Sequence, residues 1–131
     1  MSEQKPLELI LARNLLSSLT TAAFLVADDG SLLFYNEAAG VLVGRRFEET
    51  GKMTAAEWTL AFGPLDENGD PINYEETPLT RALRDGRPHH AGFRIRTANG
   101  NRQEIEASAI PIIGSGGSSG AIVICWPVVG D

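Results

Sequence analysis

The hydrophobic pattern changes period along the chain, and each change marks an element. From Lys5 to Leu19 the period is helical: Leu7, Leu11, Leu15 and Leu19 recur four apart, with Leu9, Ile10, Ala12 and Leu16 widening the stripe. Such a helix needs a partner surface, either this chain's own sheet or the same helix of a second copy. The stripe is broader than a two-position coiled-coil seam, which favours a mixture of both. Thr20, Thr21 and Ala22 then link into a strand, so residues 1–22 read as helix plus link and residues 23–131 as the domain proper. Phe24 to Ala27 and Leu32 to Tyr35 are short apolar runs separated by Asp29-Gly30, the dipeptide of a two-residue type I′ hairpin. Asn36 follows as a helix N-cap with Glu37 beside it. Ala38, Ala39, Val41 and Leu42 give a short apolar helix, and Gly44 ends it.

Thr54 and Glu57 have the spacing of a capping box, which predicts a helix from Ala55 to Phe62 burying Trp58, Leu60 or Ala61, and Phe62. Gly63-Pro64 stops it. Leu65 to Ile72 is a turn around Asn68-Gly69 and Pro71. A further helix starts near Glu75, Glu76 and Pro78, puts Leu79, Ala82 and Leu83 on one face, and stops at Gly86. Beyond it the period is two. Phe93 and Ile95 alternate with Arg94 and Arg96; after Asn99-Gly100, Ile105, Ala107 and Ala109 alternate with Glu104, Glu106 and Ser108. Cross-strand pairing of those arginines and glutamates contributes roughly 0.2–1 kcal/mol at most. Gly114 to Gly120 reads as a flexible loop, and Ala121 to Val129 as a last strand. That strand is apolar on both faces, with Ala121, Val123 and Cys125 on one and Ile122, Ile124 and Trp126 on the other, so it must be covered twice. Helix, two strands, several short helices and three strands make an α+β domain on a five-stranded antiparallel sheet, with short helices on one face and the N-terminal helix on the other.

A length of 131 residues suits one domain. The net charge of −6 disfavours a nucleic-acid partner, whose binding depends on a clustered basic surface. Glu8, Arg13 and Asn14 interrupt the leucines of the first helix, which is neither a signal-peptide core nor a membrane span. The lone Cys125 reads as a small core residue in a reducing, cytoplasmic setting. Metal sites find no support. Asp66, Asn68 and Asp70 open like a calcium loop, but Pro71 and Thr77 stand where its glycine and bidentate glutamate belong. His89 and His90 point to opposite faces of a strand. For catalysis, Ser108 or Cys125 would need His89 or His90 and a surface acid, with no local motif linking them, so the chain reads as a non-enzyme. The glycines of 114–120 miss the dinucleotide spacing and precede no helix.

The hairpin and capped helix, FLVADDGSLLFYNEAAGVLVG (24–44), followed by LDENGDPI (65–72), PLTRALRDGRP (78–88) and the three-strand pattern, resemble PAS domains, the sensory modules of bacterial signalling proteins. The resemblance implies that the middle helices pack across the sheet and enclose a pocket, for which Leu42, Trp58, Phe62, Leu79, Leu83, Phe93, Ile95, Ala107, Ala109, Val123 and Cys125 are the candidate ligand-binding residues. A solid core built from the same residues is the competing reading. It further implies a homodimer or sheet cover through Leu7, Leu11, Leu15 and Leu19, an effector domain or partner signalling protein, and a small apolar or amphipathic ligand, with a ligand-free interaction scaffold as the alternative. No cofactor is required. The blue-light relatives' Asn-Cys-Arg-Phe motif has no counterpart between Gly44 and Gly86, which disfavours covalent flavin; Tyr74 to Asp85 lacks the histidine of haem-binding relatives, and Trp58 still permits a noncovalent flavin. Asp131 is placed to begin the Asp-x-Thr exit of the family.

Overall fold

The computed structural model describes residues 7–114 and 116–128. The N-terminal helix α1 (Leu7–Ser17) leads into β1 (Ala22–Ala27) and β2 (Leu32–Tyr35). Short helices α2 (Glu37–Val43), α3 (Phe47–Thr50) and α4 (Ala55–Phe62) follow. A 3-10 turn (Tyr74–Glu76) precedes α5 (Pro78–Asp85), and β3 (His89–Arg96), β4 (Arg102–Gly114) and β5 (Gly117–Pro127) complete the fold. The sheet order is β2-β1-β5-β4-β3, antiparallel throughout, which puts the doubly apolar β5 at the centre. Both its faces are covered as far as Cys125, and Trp126 stays exposed. Val123 and Cys125 belong to the cluster with Tyr35, Phe62, Leu79 and Ala107, while Ile122 and Ile124 pack with Leu9, Leu16 and Leu25 beneath α1.

Asn36 ties these layers together. Its Oδ1 accepts from Ala39 N at 3.0 Å, capping α2, and from Ala23 N at 3.1 Å. Its Nδ2 donates to Leu16 O at 3.0 Å and Thr21 O at 2.9 Å, satisfying a carbonyl in the last turn of α1 and one in the link to β1. At 3% exposure this amide is buried with its hydrogen-bonding capacity in use. The helix starts at Thr54 and Thr77 repeat the capping logic: Thr54 and Glu57 form the predicted box, and Thr77 Oγ1 accepts from Thr80 N. Thr77 is therefore the cap of α5, directly before Pro78.

Several expectations need correction. The hairpins are not type I′, because among the described residues every positive φ belongs to a glycine, so Asp29 and Asn99 stay on the negative side. Instead Gly30 N reaches Ala27 O and Ala27 N reaches Ser31 O, a type I turn with a left-handed glycine that forms a bulge. The same pair of bonds recurs at 66–70 and 97–101 around Gly69 and Gly100. The Gly-Ser stretch is largely strand: β4 and β5 pair as far as Gly114 and Gly117, and Gly120 lies where a Cβ would sit 2.3 Å from Val26 O. Gly120 thereby admits the β1 backbone at close approach. In α4, Leu60 points outward at 78% exposure and Ala61 is half-buried. On α1 the face against the sheet is Leu9, Ala12 and Leu16, with Leu19 beside it; Leu7, Leu11 and Leu15 are exposed by 57–66%. Lys5, Val129 and Asp131 lie outside the described residues.

Candidate ligand cavity

Between the inner face of the sheet and α4 and α5 lies an apolar cavity of about 90 Å³. Two-residue periodicity explains its floor: Phe24 and Val26 of β1, Ile105 and Ala107 of β4, and Val123 and Cys125 of β5 all point to this face. Ala107 keeps the space open because it is short and wholly buried. Trp58 and Phe62 of α4 and Pro78 and Leu79 of α5 form the roof. Polar groups at the wall are already occupied. Trp58 Nε1 donates to Gly30 O at 2.7 Å, fastening α4 to the first hairpin, and the Thr77 hydroxyl is engaged with Thr80. The thiol of Cys125 is pushed up to about 12 by burial, which keeps it protonated and unreactive.

Of the candidate ligand-binding residues, Trp58, Phe62, Leu79, Phe93, Ile95, Ala107, Val123 and Cys125 meet at this cavity. Leu42, Leu83 and Ala109 do not line it. Leu42 instead faces a shallow groove with Thr97 to Gln103, while Leu83 and Ala109 belong to the surrounding core. Sequence reasoning missed Phe24, Val26, Leu32, Val43, Pro64, Thr77, Pro78 and Ile105. Ile105 shares the phase of Ala107 and was accessible from the pattern; in β1, apolar residues on both faces hide the phase.

No protein-family model matches the chain, and no curated protein matches its sequence. Solved structures do. The PAS domain of a protein from Colwellia psychrerythraea is similar over 91% of this chain and 97% of that one, at 18% identity and a TM-score of 0.67. The PAS domain of nitrogen regulation protein NR(II) from Vibrio parahaemolyticus covers 90% and 98%, at 15% identity and 0.64. A LOV protein from Rhodobacter sphaeroides covers 95% of this chain and 69% of its own, at 14% identity and 0.70. The chain has the PAS fold. In this version of the PAS fold the cavity walls contain no histidine, and among the described residues no group of three His, Cys, Asp or Glu side chains can hold a metal ion.

The opposite face of the sheet carries polar chemistry. His90 of β3 sits directly across from Ser108 of β4; its Nδ1 is 2.8 Å from Ser108 Oγ and its Nε2 is 2.8 Å from Glu106 Oε1, with Trp126 stacked 5.7 Å away. The sequence placed a serine, a histidine and an acid without a motif; the antiparallel register supplies the missing link. Such a line orients a proton path from Ser108 to His90. It supplies no anion hole, since β4 pairs on both sides and commits its amides to the ladder. His90 and Glu106 are 47% and 38% exposed. Arg94 meets Glu104 at 3.7 Å as the alternation predicts, whereas Arg96 turns to Leu60 O. His89, next to His90 on the same strand, pairs instead with Asp85 at the end of α5, at 2.8 Å. No helix among the described residues is long and apolar enough to cross a membrane.

Proposed function

We propose that this chain is a sensory domain of a multidomain cytoplasmic signalling protein, of the kind found in bacteria, which registers a small molecule in the cavity between sheet and helices. The observation that carries the reading is an apolar space left open between the sheet and helices of a PAS fold. Interiors normally fill such space, because an empty wall forfeits dispersion contacts. The nitrogen regulation protein and LOV protein among similar structures support a sensing role, and the domain itself performs no catalysis. Occupation of the cavity shifts β5 and the roof helices. The shift passes through Asn36 to the end of α1, and α1 presents it to a second copy and to an effector or partner signalling protein.

The test is native mass spectrometry of the purified chain, then denaturing extraction and an absorbance spectrum. A retained small molecule released on denaturation supports the sensor; an empty chain whose stability no small molecule changes contradicts it. A second reading, a ligand-free dimerisation scaffold, is favoured by one observation. Leu7, Leu11 and Leu15 form an exposed apolar row that the chain's own sheet does not use.

A further inference from the structure

The cavity wall restricts what can enter it. This step rests on reading the cavity as a ligand site and specifies the class of ligand. Size is the first restriction. A buried apolar cavity of roughly 150 Å³ holds benzene or xenon, whereas pockets for drug-sized ligands measure roughly 300–1,000 Å³. At about 90 Å³ this one is on the small side of the former and far below the latter.

Charge is the second restriction. An ionised group brought into an apolar site without a partner costs far more than burial of its hydrocarbon returns. The wall has no Lys, Arg or His. Its polar side chains do not compensate: Trp58 N–H is given to Gly30 O, Thr77 is held by Thr80, and Cys125 stays a neutral thiol. Trp58 sits on α4, which also buries Phe62, and its indole N–H is held by Gly30 O.

We infer that the ligand is a neutral, compact, wholly apolar molecule no larger than about one aromatic ring, and that carboxylates, phosphates and bulky ring cofactors are excluded. The probes are benzene against benzoate and hexanoate, read by thermal unfolding of the whole chain and by tryptophan emission in Trp126→Phe, which leaves Trp58 as the fluorophore. Benzene at about ten times its Kd is expected to raise Tm by roughly 5 °C and to change Trp58 emission. The two carboxylates are expected to do neither. Ala107→Leu adds three carbon atoms at the floor and should weaken benzene binding at least tenfold. Val123→Ile, adding one, should weaken it less and guards against the larger change unfolding the chain. If benzoate or hexanoate stabilises as well as benzene and Ala107→Leu removes the effect, the cavity binds ligands but the inferred class is wrong. If benzene acts equally on the filled variants, it binds elsewhere and the inference fails. If none of the three probes acts on the wild-type chain, both the class and the cavity reading fail.

Discussion

Asn36 shows how much of the molecule can depend on one amide. The N-cap role was legible, because an Asn before Glu-Ala-Ala reads as a helix start. Its two bonds to Leu16 O and Thr21 O were not, since they depend on where α1 ends in space. Asn36→Asp keeps the capping oxygen but turns a second oxygen against those carbonyls. It should destabilise by roughly 3 kcal/mol or more in urea unfolding, and the loss should shrink as pH falls and the new carboxyl protonates. Cys125 gives a prediction of the same pH sense, at higher pH. The folded state holds its thiol protonated to about 12, while the unfolded chain releases the proton near 9.0. Stability is thus intact below pH 9 and falls by about 1.4 kcal/mol per pH unit above it. Tyr35, whose phenol is also raised by burial, adds to the loss above the ordinary tyrosine value of 10.0. Cys125→Ala should therefore move the onset of the alkaline loss of stability from about pH 9 to above pH 10, read as urea midpoints by circular dichroism.

Among the elements, those with a clean period and a cap were read nearly to the residue. Ala55–Phe62 and its Thr54–Glu57 box are the clearest case, since local chemistry alone decides them. Elements decided by distant contacts were misread. Gly117–Gly120 has the composition of a loop but lies in β5, because Gly120 lets the β1 backbone approach. Gly120→Ala should cost about 2 kcal/mol or more by overpacking. Gly116→Ala, with nothing within 4 Å, should cost little; denaturant midpoints of the two decide the point. The first helix was recognised, but which of its apolar residues meet the sheet was left open. Leu residues at every fourth position form a row whichever way they point, so the pattern identifies the row and not what covers it. Leu16 is 1% exposed, and Leu16→Glu should unfold the chain. Leu11→Glu with Leu15→Glu should leave the monomer folded and abolish a dimer in sedimentation equilibrium. A dimer that survives would place the interface elsewhere.

At the scale of the whole molecule, the alternation of elements was enough to specify an antiparallel α+β sheet, and most of the cavity floor follows from strand phase. The cavity itself was not legible: whether Ala107 faces a void or a side chain depends on how far α4 and α5 stand from the sheet, which no local pattern states. The functional account makes β5 the element shared by both layers, with Val123 and Cys125 against the cavity and Ile122 and Ile124 against α1. Its central claim is that cavity occupancy and the α1 contact are coupled. The most direct measurement is amide hydrogen exchange of the whole chain with and without Ala107→Leu, which fills the cavity without any added ligand. The account predicts that protection changes by about fivefold or more at Ala39 and through the last turns of α1, as well as at the cavity wall. Changes confined to the residues around Ala107, with α1 and Ala39 unaltered, would contradict it.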